Sequence, residues 1–241
     1  MRGVGTSAKP YKISPSSLGN FLDCACCFVT HDLKVAKKPS SPFAQLPNGI
    51  DDSMRSAMTA SYDSGVMPAE FAAVPELADC VLADRSFMTK EQILDASDQH
   101  AITTGEEFTL TGKLDELFVA DDGAFVIGDY KTKRSLNHAS KDAHPAYVRQ
   151  LRCYAHILRS NGHTVRDTAL LLNYYPTGTS FVNEVHPYLE FLVDRVDVSI
   201  AATAPVVQAW KDMAETWHQH KAAGTTPARN PDCSWCDYRL P

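Results

Sequence analysis

The stretch that most constrains this chain is GKLDELFVADDGAFVIGDYKTK, residues 112–133. Apolar residues flank Asp121-Asp122-Gly123 on both sides, which predicts two strands joined by a tight turn. Into this hairpin the sequence places Asp115, Asp129 and Lys131. Residues i and i+2 of a strand project to one face, so Asp129 and Lys131 stand together. Directly opposed residues on paired strands also share a face. A two-residue Asp122-Gly123 turn would set Asp115 opposite Tyr130 and aim it away from Asp129. A three-residue turn, with Gly123 in the left-handed region, sets Asp115 opposite Asp129 instead. That register also pairs Leu117 with Ile127, Val119 with Phe125 and Lys113 with Lys131. An acid and a lysine two residues apart can be a plain ion pair. Two carboxylates at one point repel each other unless a cation holds them, and hard divalent ions take such oxygen sites.

Downstream, Tyr147, Leu151, Tyr154 and Leu158 predict an amphipathic helix on which Gln150 and Tyr154, four apart, share a face. Together these residues resemble the PD-(D/E)XK nuclease superfamily, in its RecB-like branch. The family pattern is an acid on one strand, acid-x-Lys on the next, and Gln-x-x-x-Tyr on a following helix. Here it reads Asp115 in GKLD, Asp129 and Lys131 in GDYKTK, and Gln150 and Tyr154 in QLRCY. The resemblance runs from Ser14 to Tyr238.

It implies an α/β fold with a restriction-endonuclease-like core, a central mixed sheet flanked by helices. The activity implied is that of a metal-dependent DNA nuclease, with exonuclease action leaving 5′-phosphates. Asp115, Asp129 and the carbonyl of Tyr130 would hold Mg²⁺ or Mn²⁺, and Lys131 would orient water or stabilise transition-state charge. Gln150 and Tyr154 would contact DNA or orient the site. Better-known relatives add a His or Glu ligand from a second helix. In this chain the candidate is Asp51, with Asp52 as its rival, although both acids also suit a helix N-terminus electrostatically.

The formal net charge of −6 argues against broad coating of nucleic acid. A local basic groove remains open. Lys131, Lys133, Arg134, Lys141, Arg149 and Arg152 share a stretch whose single acid is Asp142. Lys133, Arg134, Arg149 and Arg152 are therefore the candidate phosphate contacts.

Seven cysteines without a signal peptide point to thiols or metal ligands rather than disulfides. Ser14-Pro15 opens a helix whose stripe is Leu18, Phe21, Leu22, Ala25, Phe28 and Val29. At about 100° per residue, Cys24 and Cys27 fall about 60° apart on the flank, and Cys26 on the other side. Cys233 and Cys236 repeat the two-residue spacer in DCSWCDY. Four thiolates suit one tetrahedral metal or an iron–sulfur cluster. Several RecB-like nucleases carry a [4Fe–4S] cluster joining the N-terminal helix to a C-terminal cysteine loop, on one N-terminal and three C-terminal cysteines. This chain offers two and two, which keeps Zn²⁺ as the alternative. Either would tie the chain ends together.

A single domain over 1–241 is expected. Residues 1–13 read as a loose tail, 14–98 as a helical part, 105–187 as the catalytic sheet and helix, and 196–241 as a C-terminal helix and cysteine loop. Within these, 68–98 reads as helical, with Cys80 buried on a helix. A buried strand is expected at Val165–Tyr175, with Thr179–His186 as its expected pairing partner. The last helix is expected to be interrupted at Pro205, with His218 and His220 solvated at its end. No apolar run reaches the length of a membrane span, so a cytoplasmic protein of a bacterium or phage is expected. Partners would be DNA and proteins of recombination, repair or phage replication. A DNA-binding or assembly module with little catalysis is the alternative function, and a zinc-stapled scaffold is a third reading.

Overall fold

The central hairpin follows from its turn. Gly123 has φ +80°, a conformation that costs a residue without Cβ nothing, and its N–H donates to the Ala120 carbonyl at 2.8 Å. The flanking strands pair Leu117 with Ile127 and Val119 with Phe125, the register of the three-residue turn. One step further, this register sets Asp115 beside Asp129. The structure is a computed structural model and describes residues 11–32, 56, 58–84, 94–101, 107–132, 143–176, 189–233 and 236.

In chain order the elements begin with β1 (Tyr11–Ile13), α1 (Pro15–Asp23) and α2 (Ala25–Asp32). A helix over 58–64 is α3. Then come α4 (Ala69–Ala72), a 3₁₀ turn at Pro75–Leu77, β2 (Cys80–Leu82), β3 (Leu94–Ala101) and β4 (Glu107–Gly112). The hairpin strands are β5 (Glu116–Ala120) and β6 (Phe125–Thr132). After them follow α5 (Pro145–Ser160), β7 (Thr168–Pro176), β8 (Leu189–Asp197) and α6 (Ile200–Ala223).

Among the described residues the strands form two sheets, a five-stranded one ordered β2-β5-β6-β7-β8 and a three-stranded one ordered β1-β4-β3. In the larger sheet β6 and β7 are parallel and the other neighbours antiparallel. It is therefore mixed, with helices packed against it. One face carries Leu117, Ile127 and Leu171 into a core shared with Leu151, Tyr154 and Leu158 of α5 and Trp210 and Met213 of α6. The other face carries Phe118, Val126, Tyr130, Leu170 and Leu172 against Met58 and Phe71. No described helix is long and apolar enough to cross a membrane.

Several expectations are corrected. Tyr11–Ile13, expected in a loose tail, pair in parallel with β4. The helical stretch expected over 68–98 holds two strands: Cys80–Leu82 extends the large sheet along β5, and Leu94–Ala101 pairs with β4. Cys80 is a half-buried strand residue, not a buried helical one. The Phe108 strand joins the smaller sheet instead of the catalytic one. The N-terminal helix breaks at Cys24, which is extended (φ −164°, ψ 102°), so Leu22 of the expected stripe is exposed. The partner of β7 is Leu189–Asp197, while Thr179–His186 lies outside the described residues. The last helix starts at Ile200, capped by Ser199, and runs through Pro205 unbroken; the proline forgoes a single backbone bond near the helix start. His218 is buried edge-on to Phe108, not solvated.

Candidate active site and four-cysteine centre

Alternation along β6 sends Phe125, Ile127, Asp129 and Lys131 to the α5 side and Val126 and Tyr130 to the other. Tyr130 thus shares only its main chain with the α5 face, since its ring stacks on Phe71. The neighbouring acids split in the same way. Asp115 lies one residue before β5 and is half-buried beside Asp129. Glu116 is buried on the opposite face, where it accepts a hydrogen bond from the Tyr62 hydroxyl at 2.9 Å.

Asp129 is wholly buried. Burial first, and then the charge of Asp115, raise its carboxyl to about 7 against the lowering pull of Lys131. The Lys131 ammonium rests on Asp129 Oδ2. Asp129 Oδ1 has no hydrogen-bond donor among the described residues. A buried carboxylate with an orphaned oxygen, facing a second carboxylate, is an unfavourable arrangement that a divalent cation would satisfy. The donor set fits Mg²⁺ or Mn²⁺.

α5 supplies the rest. It begins at Pro145 with the His144 ring accepting from the Ala146 N–H. Lys131 Nζ donates to Gln150 Oε1 at 3.4 Å and lies 4.7 Å from the centre of the Tyr147 ring. Gln150 Nε2 donates to the Tyr154 hydroxyl at 2.8 Å. The Tyr154 ring lies so close to Gly112 that a Cβ there would stand 2.4 Å from Tyr154 Cε1. The glycine of GKLD is thus the residue that admits the tyrosine. A cleft of about 280 Å³, lined by Ser14, Ser16, Lys113, Gln150 and Tyr154 among others, opens beside this row.

Asp115, Asp129, Lys131, Gln150 and Tyr154 therefore lie together at the C-terminal end of β6. Two other expected contacts are engaged elsewhere. Arg152 donates to the Asp197 carbonyl at 3.1 Å, on the side of α5 away from Gln150. Arg149 lays its guanidinium over Gly19 of α1. Asp51, Lys133 and Arg134 lie outside the described residues. One polar residue on the same face was missed. Asn173 of β7 sits beside Lys131 in the register and bonds to Asp194 of β8. The asparagine inside the apolar run TALLLNYY is the signal by which the sequence could have revealed it.

At the chain ends, Cys24, Cys27, Cys233 and Cys236 bring their sulfurs within 4.8 Å of one another. Cys24–Cys236 is 3.4 Å, and Cys27–Cys233 and Cys27–Cys236 are each 3.6 Å. All seven cysteines are free thiols. The break at Cys24 builds the N-terminal half, because the Cys27 N–H then donates to Cys24 Sγ at 3.4 Å. Asn230 Nδ2 ties the C-terminal loop to the Asp23 carbonyl at 3.0 Å. Burial pushes the Cys24 thiol up, but hydrogen bonds from Cys27, Cys236 and the Asn230 main chain outweigh it and lower it to about 7. Burial raises Cys236 to about 11. With metal–sulfur bonds of about 2.3 Å, ligands of one tetrahedral ion stand roughly 3.8 Å apart. The sulfur spacing fits that geometry. A four-iron cluster binds its cysteines on separate irons and spreads them wider.

A family model described as the PD-(D/E)XK nuclease superfamily matches residues 50–240. The chain belongs to the PD-(D/E)XK nuclease superfamily. Nucleases of this superfamily usually use divalent metals, in keeping with the acids on β6 and before β5. No curated protein matches the chain. Among solved structures, an Eubacterium rectale protein provisionally called an exonuclease aligns with a TM-score of 0.52 and 15% identity. That alignment covers 97% of this chain and 90% of the other, and the two share a fold. The crystal structure of SSO0001 aligns with a TM-score of 0.40 and 13% identity, over 85% of this chain and 75% of that one.

Proposed function

We propose that this PD-(D/E)XK protein is a divalent-metal-dependent deoxyribonuclease that acts as an exonuclease and leaves 5′-phosphates. The observation that carries the reading is buried Asp129, with its orphaned oxygen, meeting Asp115 and Lys131 on one face of the sheet. Asp115, Asp129 and the Tyr130 carbonyl are the residues that would hold Mg²⁺ or Mn²⁺, with Asp51 as a further ligand. When bound there, such an ion supplies Lewis acidity for water activation and offsets phosphate charge. Lys131 orients the attacking water or stabilises charge on the reacting phosphate. Gln150 and Tyr154 fix the lysine from the α5 side. The DNA backbone runs past the cleft between Lys113 and Gln150, with Lys133 and Arg134 as phosphate contacts.

The four cysteines hold a single zinc ion as a clamp between the chain ends, a reading supported by the sulfur spacing. The resemblance to RecB-like nucleases supports a [4Fe–4S] cluster instead. Metal analysis with a visible spectrum after anaerobic purification decides between them. About one zinc per chain and no visible band fit the clamp, and iron with broad absorption overturns zinc. The free thiols suit a cytoplasmic setting in a bacterium or an infected one.

End-labelled single- and double-stranded DNA, digested over time with Mg²⁺ or Mn²⁺, tests the enzyme. Stepwise loss of terminal nucleotides is expected, and none with EDTA. A protein that binds DNA but stays inert with both ions, its cysteine centre loaded, is a binding or assembly module instead.

A further inference from the structure

β7 is apolar through Leu170, Leu171 and Leu172, and then places Asn173 in the same interior. Asn173 is wholly buried, and the parallel register sets it beside Lys131 on the same face. Its amide cannot turn over freely. Nδ2 donates to the Leu171 carbonyl at 3.1 Å and to Asp194 Oδ2 at 3.0 Å, and the reversed amide would set oxygen against two acceptors. Oδ1 is thereby kept away from both, and it has no donor among the described residues. A buried carbonyl oxygen without a donor is costly and calls for an explanation, a role at the site among them.

Lys131 is the cation beside it. Here the ammonium rests on Asp129, the carboxylate that a divalent ion would need. An ion and an ammonium compete for one carboxylate, so loading the site obliges Lys131 to find another acceptor. We infer that Asn173 is a positioning residue whose Oδ1 receives the Lys131 ammonium when Asp129 turns to a divalent ion. Gln150 Oε1 steadies the lysine from α5, and Asn173 steadies it from β7. Asp194 holds the amide in the accepting orientation. The inference rests on the metal-nuclease reading proposed above.

Its test is a double-mutant cycle read by Mn²⁺ calorimetry on the full chain with the cysteine centre loaded. Wild type, Asn173→Ala, Lys131→Ala and the double variant are compared. With Lys131 present, Asn173→Ala leaves the ammonium on Asp129, and Mn²⁺ binds about tenfold more weakly, the scale of one charged hydrogen bond. In the Lys131→Ala background the same change shifts affinity by less than about twofold. An equal loss in both backgrounds would make Asn173 a direct ligand or a packing residue and overturn the inference, as would no loss with Lys131 present. Should Asn173→Ala fail to fold, Asp194→Ala gives the same readout from a half-exposed side chain. Freeing the amide then weakens Mn²⁺ binding more with Lys131 than without it, and equal effects overturn the inference. A wild type that binds no Mn²⁺ overturns the metal reading and this inference together. A wild type that binds Mn²⁺ and cleaves DNA, with no coupling in the cycle, overturns this inference alone.

Discussion

Cys24 and Cys236 are 212 residues apart in sequence and 3.4 Å apart at their sulfurs. Nothing local brings them together, because the contact joins the end of α1 to the last described residue. Four thiols this close lose protons only at the expense of mutual repulsion, and a bound cation removes that cost. Closing so long a loop also restricts the unfolded chain.

Cys233→Ser is therefore expected to lower metal content and thermal stability together, since metal binding at such a site is folding free energy. A loss of ~3 kcal/mol would lower the melting temperature by roughly 6–12 °C in a chain of this size. Cys26→Ser and Cys80→Ser leave metal content unchanged, as neither sulfur belongs to the group of four. Metal analysis beside a thermal melt checks both, and a metal-replete Cys233→Ser would exclude the clamp.

The raised carboxyl of Asp129 gives stability a definite pH slope. In the metal-free protein this group holds its proton to about 7, against an ordinary value of 3.8. Between those values the folded chain binds a proton that the unfolded chain has lost, so stability falls as pH rises. The contribution is complete below about 4 and gone above about 7. Denaturant melts in EDTA across that window should show the decline for wild type, with a flatter profile for Asp129→Asn. Melts in which wild type and Asp129→Asn share one slope would place the titration elsewhere.

Much of this site was legible because it is local. Asp121-Asp122-Gly123 marks the turn but allows two registers, and the need for Asp115 and Asp129 to share a face selects the three-residue loop that the strands adopt. The cysteine pairing was legible for a partly different reason than the one expected. An unbroken helix puts Cys24 and Cys27 on one flank, but the pair forms through a break at Cys24 that turns its sulfur toward the Cys27 N–H. Non-local elements were not legible. β1 and β2 are three residues each, too short for a period, and each exists because a partner strand lies beside it. Arg149 and Arg152 read as a basic stretch, yet helical geometry turns Arg152 to the Asp197 carbonyl and Arg149 onto α1. The burial of His218 depends on Phe108, more than a hundred positions away, which no local pattern records.

Two glycines separate a costly contact from a mild one. A Cβ on Gly112 would meet the ring of Tyr154 at 2.4 Å, and one on Gly19 would meet the terminal guanidinium of Arg149 at the same distance. The ring is packed in the core, while the guanidinium ends a long chain that can swing aside. Gly112→Ala is expected to cost about 1–3 kcal/mol, the usual range for overpacking. It should also lower cleavage, because Tyr154 and then Gln150 must shift. Gly19→Ala should cost under ~1 kcal/mol. Chemical denaturation of both variants checks the contrast, and equal costs would mean that the Tyr154 ring is free to move.

Asp115, Asp129 and Lys131 share one face but should fail differently. Asp115→Ala or Asp129→Ala removes an oxygen ligand, so Mn²⁺ affinity and cleavage should vanish together. Lys131→Ala leaves both carboxylates in place and removes the cation that rests on Asp129. Mn²⁺ should then bind at least as well as to wild type, while cleavage drops on the order of a hundredfold, the scale of losing one transition-state stabiliser. Gln150→Ala acts one step further out: Lys131 loses an acceptor but stays, so a smaller loss is expected, on the order of tenfold. Calorimetry and cleavage on the same preparations separate these outcomes. Lys131→Ala cutting at the wild-type rate would remove the lysine from the mechanism, and Lys131→Ala failing to bind Mn²⁺ would show that its ammonium supports the metal site instead of competing with it.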